Sequence, residues 1–117
     1  MMKKQLVFKN LTIPADGTSD PVMVAVSDYE LNGFFSLDLS VVAGKVKIYY
    51  KAGNVAGAGC VPVEGGGVIV TQHSATSGDA GRKAYPARIG AFRMVEIYAE
   101  ALDGNPAEIA ECVLNMI

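Results

Sequence analysis

The stretch "GFFSLDLSVVAGKVKIYYKAG", residues 33–53, decides the fold class of this chain. Apolar and polar residues alternate on both sides of Ala43-Gly44, which is typical of strands that bury one face and expose the other. One face carries Phe35, Leu37, Leu39, Val41, Val46, Ile48 and Tyr50, and the other carries Phe34, Ser36, Asp38, Ser40, Lys45, Lys47, Tyr49 and Lys51. The stretch predicts a β-hairpin that turns at Ala43-Gly44 and lies on a core.

The rest of the chain divides into short apolar segments separated by turn signals, which are densest in residues 14–21 and at Asn32-Gly33. Pro62 and Pro86 each favour an edge position, because proline cannot donate to a strand ladder. The further predicted strands are residues 5–13, 22–29, 60–63, 68–74 and 93–102, with residues 82–92 as an irregular segment or an edge strand.

The C-terminal residues 106–117 fit two structures. Asn105 and Pro106, followed by Glu108, form a helix N-cap signal, and apolar residues follow at helical spacing. The same residues alternate as a strand would, with "DGN" before them as a turn. The short connection and the β character of the rest favour a strand, and helix is the alternative.

Together these segments predict one all-β domain over residues 1–117. About eight short strands at this spacing are typical of an antiparallel two-sheet β-sandwich, either jelly-roll-like or immunoglobulin-like. The first two strands are apolar on both faces. One face packs on the core, and a partner subunit is a candidate to cover the other.

Composition excludes several classes of function. The net charge of −2 and the absence of a basic stripe argue against nucleic acid as a partner. No apolar run has the length of a membrane span or a signal peptide, so we expect no membrane association and synthesis in the cytoplasm. Cys60 and Cys112 form no CxxC motif, and we expect two buried free thiols; a disulfide would require the two strands to face each other closely.

No catalytic, cofactor-binding or metal-binding constellation emerges from the sequence. His73 is the only histidine, and no nucleophile motif accompanies it, so we expect a surface or hydrogen-bonded structural role. Asp16 and Asp20 lie in a loop where turn formation explains them, although loop carboxylates also suit Ca²⁺. The glycine runs "GAG" and "GGG" do not match a phosphate loop, and we expect no cofactor.

Three tyrosines and two arginines form the candidate binding surface. Tyr49, Tyr85 and Tyr98 are predicted to be exposed, and Arg88 and Arg93 belong to a late basic cluster. Aromatic and cationic groups together suit a sugar or a protein partner. Cross-strand pairing on a sheet surface is the alternative explanation for the tyrosines.

The order of segments over residues 33–114 resembles small all-β structural proteins encoded among the virion genes of tailed bacteriophages and prophages. The similar features are "GFFSL", "VKIYY" and "RMVEIYA", which are strand patterns and include no catalytic residue. The resemblance implies a virion component, such as a head decoration or a tail-associated subunit.

These observations predict a non-enzymatic structural or assembly protein that acts as a homo-oligomer, with other virion proteins as further partners. Exchange of the first strand, residues 5–13, between subunits is one possible mechanism. The alternative function is a carbohydrate- or ligand-binding β-sandwich module.

Overall fold

The computed structural model describes residues 3–26, 35–54, 59–89 and 92–116, and these contain strands but no helix. No helix in these ranges could therefore cross a membrane. The strands are β1 (Lys3–Ile13), β2 (Val22–Ala25), β3 (Phe35–Ala43), β4 (Lys45–Gly53), β5 (Val61–Pro62), β6 (Val68–Ser74), β7 (Arg82–Ala87), β8 (Met94–Ala101) and β9 (Ala107–Met116).

The strands form two antiparallel sheets, which confirms the predicted all-β sandwich. The four-stranded sheet has the order β1-β9-β3-β7. The five-stranded sheet has the order β2-β8-β4, and both β5 and β6 pair with the far edge of β4.

The predicted alternation of β3 and β4 is confirmed, but the predicted hairpin between them is wrong. β3 pairs with β7 and β9, whereas β4 pairs with β8, β5 and β6. The chain thus crosses from one sheet to the other at Gly44, which has a φ of 75°. Both apolar rows still face the same core, because the two sheets face each other across it. Periodicity records the buried face of a strand and contains no information about its neighbour.

Consecutive strands change sheet at most connections. β1, β3, β7 and β9 lie in the four-stranded sheet, and β2, β4 and β8 lie in the other. In an immunoglobulin sandwich, several pairs of consecutive strands share a sheet. The chain therefore crosses between its sheets at more of its connections than an immunoglobulin sandwich does.

The core fills the space between the sheets and draws on both rows of the opening stretch. Leu37 and Ile48 are fully buried, one on each sheet. Other large side chains with almost no exposed surface are Ile13, Leu39, Ile97, Ile109, Leu114 and Met116. Burial of each such side chain contributes about 1.5–3 kcal/mol to stability.

A β-bulge accounts for part of the two-sided apolarity of β1. The register to β9 shifts between Leu6 and Phe8, so the successive residues Val7 and Phe8 are both buried. Only Leu6 of these three is exposed, at 50%. Much of the apolar surface that suggested a covering partner is thus used inside the chain.

The remaining predictions divide into confirmed ones and ones outside the described residues. The C-terminal segment is a strand, β9, and the predicted edge character of residues 82–92 is confirmed by β7 at the end of its sheet. The second strand is described only to Ala25 within its pairing. Its predicted continuation to Tyr29, the Asn32-Gly33 turn, Phe34 and Gly90 lie outside the described residues.

The crossing at Gly44 gives the first prediction. A Cβ there would lie 2.3 Å from the Pro106 carbonyl oxygen, whereas a Cβ at Gly104, with a similar φ of 70°, would meet nothing within 4 Å. We expect Gly104→Ala to cost about 1–2 kcal/mol through the left-handed backbone alone. Gly44→Ala should cost at least about 2 kcal/mol more, because backbone atoms must also move. Urea unfolding of both variants measures this, and equal losses would contradict it.

Candidate functional site

The outer face of the five-stranded sheet carries an ordered set of aromatic and charged side chains. β4 and β8 are neighbours, and their register pairs Lys47 with Glu100, Tyr49 with Tyr98, and Lys51 with Glu96. The apolar residues that alternate with these six along β4 and β8 point into the core, so the six side chains share the outer face. We call this set, Lys47, Tyr49, Lys51, Glu96, Tyr98 and Glu100, the tyrosine face. All six are half-buried.

The two tyrosines form the centre of this face. Their ring centroids are 5.1 Å apart with an interplanar angle of 10°, which is a stacked pair. Lys47 Nζ lies 5.4 Å from the centroid of Tyr49, and Lys51 Nζ lies 5.1 Å from that of Tyr98. Each ring thus has a tyrosine against it and an ammonium group over it, a cation–π arrangement.

The two glutamates of the tyrosine face make no ion pair within the described part of the chain. Glu96 and Glu100 are directly opposite lysines, yet the ammonium groups lie over the rings. The described ion pair in this sheet is instead between Lys45 Nζ and Asp103 Oδ2, at 2.9 Å. The face therefore presents a column of positive charge on β4 beside a column of negative charge on β8.

Cys60 lies at the edge of the tyrosine face. Burial raises the pKa of its thiol, and the neighbouring Glu96 carboxylate raises it further. The pKa of Tyr98 is also raised, first by burial and then by Glu96 and Cys60. These groups thus remain protonated at neutral pH, and the charges of the face are those of the lysines and glutamates.

Tyr85 does not belong to the tyrosine face. It lies on β7 of the four-stranded sheet, half-buried, and contacts His73 on β6 of the five-stranded sheet. His73 Nδ1 and the Tyr85 hydroxyl are 2.7 Å apart, and Lys83 Nζ lies 5.2 Å from the Tyr85 ring. Burial raises the pKa of Tyr85. This contact links the two sheets along one side of the sandwich.

His73 is a buried structural residue, and the hydrogen-bonded form of the sequence prediction is confirmed. Its side chain is 1% exposed, and Nε2 lies 2.8 Å from the Gly81 carbonyl oxygen. A carbonyl only accepts, so Nε2 donates. In the neutral ring, Nδ1 then accepts from the Tyr85 hydroxyl. Both nitrogens thus have partners within the chain, as a buried imidazole requires.

Arg88 and Arg93 are both exposed, and neither is placed over the tyrosine rings. Arg88 follows β7, where its carbonyl accepts from Tyr50 Oη at 3.3 Å. Arg93 precedes β8, and its N–H donates to Asn54 Oδ1 and Gly53 O. Of the five predicted surface residues, the structure brings only Tyr49 and Tyr98 together.

The outer face of the four-stranded sheet has a different character. Asn115 Nδ2 donates to Asp38 Oδ2 at 3.0 Å and to Ser36 Oγ at 3.2 Å. Asn115 Oδ1 is buried and has no hydrogen-bond partner among the described residues. Beside them is an open depression lined by Lys4, Asp38, Leu39, Ser40, Asp79, Arg82, Lys83, Ala84, Glu111 and Val113. Three cationic and three anionic side chains are among the residues that line it.

The two cysteines are free, and only one of them is buried. The prediction of a buried thiol is correct for Cys112 and wrong for Cys60, which is half-buried because it precedes the short edge strand β5. Asp16 and Asp20 are exposed, with Asp16 in a turn at a φ of 57°. Within the described ranges, no three His, Cys, Asp or Glu side chains come close enough to hold a metal ion.

The sequence contained the signal for the tyrosine face without its arrangement. "KVKIYYK" and "MVEIYAE" each alternate charged or tyrosine residues with apolar ones. What local periodicity could not supply is that β4 and β8, about fifty residues apart, are neighbours in this register. The lysine and glutamate columns can be recognised only once that pairing is known.

The contact between His73 and Tyr85 gives the second prediction. Tyr85→Phe removes the donor to a buried imidazole nitrogen, and we expect the free energy of unfolding to fall by about 1–3 kcal/mol. The matched control is Tyr49→Phe, whose hydroxyl makes no hydrogen bond to the described residues and should cost under about 0.5 kcal/mol. Chemical denaturation at low protein concentration compares them. Similar losses would mean that the His73 contact contributes nothing.

Cys112 gives the third prediction. Burial, with the charge of Asp38, raises its pKa from 9.0 to about 12. The folded state therefore keeps a proton that the unfolded state loses, so stability is complete below pH 9 and falls as pH rises from 9 toward 12. We expect Cys112→Ala to reduce this alkaline slope by about 1.4 kcal/mol per pH unit. Unfolding under reducing conditions from pH 8 to 10.5 tests this, and an unchanged slope would contradict it.

Comparisons with known proteins give a likeness of fold at low identity. No protein-family model and no curated protein matches the chain. Among solved structures, the SPBc2 prophage-derived protein YomS is similar at a TM-score of 0.46 and 9% identity, over 98% of this chain and 93% of that one.

Two further solved structures have the same general likeness. The VP2 subviral particle of infectious bursal disease virus is similar at a TM-score of 0.46 and 10% sequence identity, over 97% of this chain and 29% of that one. The Schizosaccharomyces pombe Cnp3 cupin domain is similar at a TM-score of 0.32 and 9% sequence identity, over 98% of this chain and 60% of that one. The structures thus include a prophage-derived protein and a viral capsid protein, and at these values the likeness carries no argument about function.

Proposed function

We propose that this chain is a non-enzymatic structural or assembly protein that acts as a homo-oligomer. Its context is the virion of a phage or prophage, as a head decoration or tail-associated subunit. The protein is made in the cytoplasm and assembles with copies of itself and with other virion proteins. It needs neither a cofactor nor nucleic acid.

The observation that carries this proposal is the tyrosine face. Stacked tyrosines at its centre supply apolar area with little conformational freedom to lose, a composition that protein interfaces favour. The lysines and glutamates around them are half-buried and segregated into columns. Such order on an outer face is more than solubility requires, because scattered charges would serve that purpose.

Three of the sheet edges, β1, β7 and β2, direct association toward a face. β1 has a bulge, a positive φ at Asn10 and the outward lysines Lys4 and Lys9, all of which obstruct further pairing. β7 contains Pro86, and β2 has only four residues. Strand exchange through β1 would require Phe8 and Ile13 to leave the core before a partner's copies could replace them. Face-to-face packing involves neither difficulty.

The strand order supports a structural role in a general way. Most consecutive strands alternate between the two sheets, which is consistent with a double Greek-key jelly roll. Viral capsid domains, lectins and cupins share this architecture. A fold does not fix a function, so this supports the proposal only together with the tyrosine face. The burial of His73, at 1% exposed, supports a structural role for the one histidine of the chain.

A carbohydrate- or ligand-binding module is the second candidate. Its support is the pair of half-buried tyrosine rings, which could stack on a sugar. The arrangement is less suited to that function, since the rings stack on each other and lysines lie over them. A sugar would have to displace an ammonium group to reach a ring face.

The mass in solution tests the proposed function. We expect light scattering after size exclusion, over a hundredfold range of concentration, to show a defined oligomer. A monomer throughout would overturn the proposal, and binding in a glycan array at millimolar sugar would then favour the second candidate. Mass spectrometry of virions from a lysogen that encodes the chain tests the virion context separately.

A further inference from the structure

We infer that the tyrosine face is the contact between two copies of this chain, related by a two-fold axis parallel to β4 and β8. The inference rests on the proposed function and specifies its interface. It follows from the charges of the six residues of the face and from the register of the two strands.

The symmetry argument begins with the two columns. β4 presents Lys47, Tyr49 and Lys51, and β8 presents Glu100, Tyr98 and Glu96 in the same rows. Neighbouring strands are about 4.8 Å apart, and successive outward residues about 7 Å apart along a strand. The face is therefore a grid of two columns and three rows, positive on one side and negative on the other.

A second copy fits this grid in one orientation. A two-fold axis parallel to the strands, between the copies, exchanges the columns and keeps the rows. The lysine column of each copy then lies over the glutamate column of the other. Lys47 faces the partner's Glu100, Lys51 faces the partner's Glu96, and the tyrosine pairs meet at the centre. Because the operation is its own inverse, every contact forms twice.

An axis perpendicular to the strands, but still in the plane between the copies, fails the same test. It keeps each column in place and reverses the rows, so lysines would face lysines and glutamates would face glutamates. Like charges in direct opposition cost several kcal/mol at an interface. Charge alone thus selects the parallel axis.

The flanking strands extend this complementarity with apolar side chains. Met23 pairs with Glu96 on one side of the face, and Val68 pairs with Tyr49 on the other. Their side chains are 55% and 41% exposed. The same two-fold axis brings the β2 side of one copy to the β6 side of the other. Met23 and Val68 then lie near each other across the contact, and their apolar surface is removed from water.

The isolated chain leaves the glutamates available for this contact. Neither Glu96 nor Glu100 makes an ion pair within the described residues, and the lysines hold positions over the rings. A second copy places a lysine opposite each glutamate, and that lysine can stay over the tyrosine ring of its own chain. Any other partner would need an equally spaced glutamate column opposite β4, which a second copy supplies without further assumption.

Charge reversal tests the inference. Lys47→Glu with Lys51→Glu makes the face wholly acidic, and Glu96→Lys with Glu100→Lys makes it wholly basic. Sedimentation equilibrium of the full chain should show each double variant associating about 100-fold more weakly than the wild type or worse. An equimolar mixture of the two variants should regain association as a 1:1 heterodimer, because an acidic face then meets a basic one.

The control reverses a charge on the other sheet. Lys9 is paired with Glu111 on the four-stranded sheet, and Lys9→Glu should leave association unchanged. If a reversal variant does not fold by circular dichroism, Lys47→Gln with Lys51→Gln serves instead, with at least a tenfold loss expected. A wild-type oligomer that resists both reversals, or reversed variants that fail to associate when mixed, would overturn this interface and leave the proposed function intact. A monomeric wild type would overturn both.

Discussion

The structure depends on one apolar layer between the two sheets. The strands β3, β4 and β8 supply that layer with every second side chain, and the fully buried Leu37 and Ile48 come from opposite sheets. Because the period of a strand is two, burial of this row fixes which residues remain outside. The tyrosine face is the outward counterpart of the core row formed by Val46, Ile48 and Tyr50.

Closure of the sandwich requires polar contacts where the apolar layer ends. At the side formed by β6 and β7, His73 fills an inward position opposite Val46 and satisfies both ring nitrogens within the chain. The Gly81 carbonyl accepts from His73 and also from the N–H of Val41, which ties β3 to the same point. A buried imidazole without these partners would cost stability rather than add it.

The sequence was sufficient for the faces of the strands and insufficient for their neighbours. Alternation correctly assigned the buried sides of β3 and β4, and the short connection correctly favoured a strand for β9. The hairpin prediction failed at Gly44, because a tight glycine turn suits a crossing between sheets as well as a return within one. For the same reason the sequence could not show that Tyr49 and Tyr98 are neighbours whereas Tyr85 lies on the other sheet.

The position of the lysines suits both the free chain and the proposed contact between two copies. An exposed lysine–glutamate pair gains less than about 1 kcal/mol, so a lysine in the free chain loses little by lying over a tyrosine ring instead. When water is excluded, both cation–π and ionic attractions become stronger. In the proposed contact, a lysine between its own tyrosine and a glutamate of another copy would have both attractions at once, so its placement in the free chain is already the one that this contact needs.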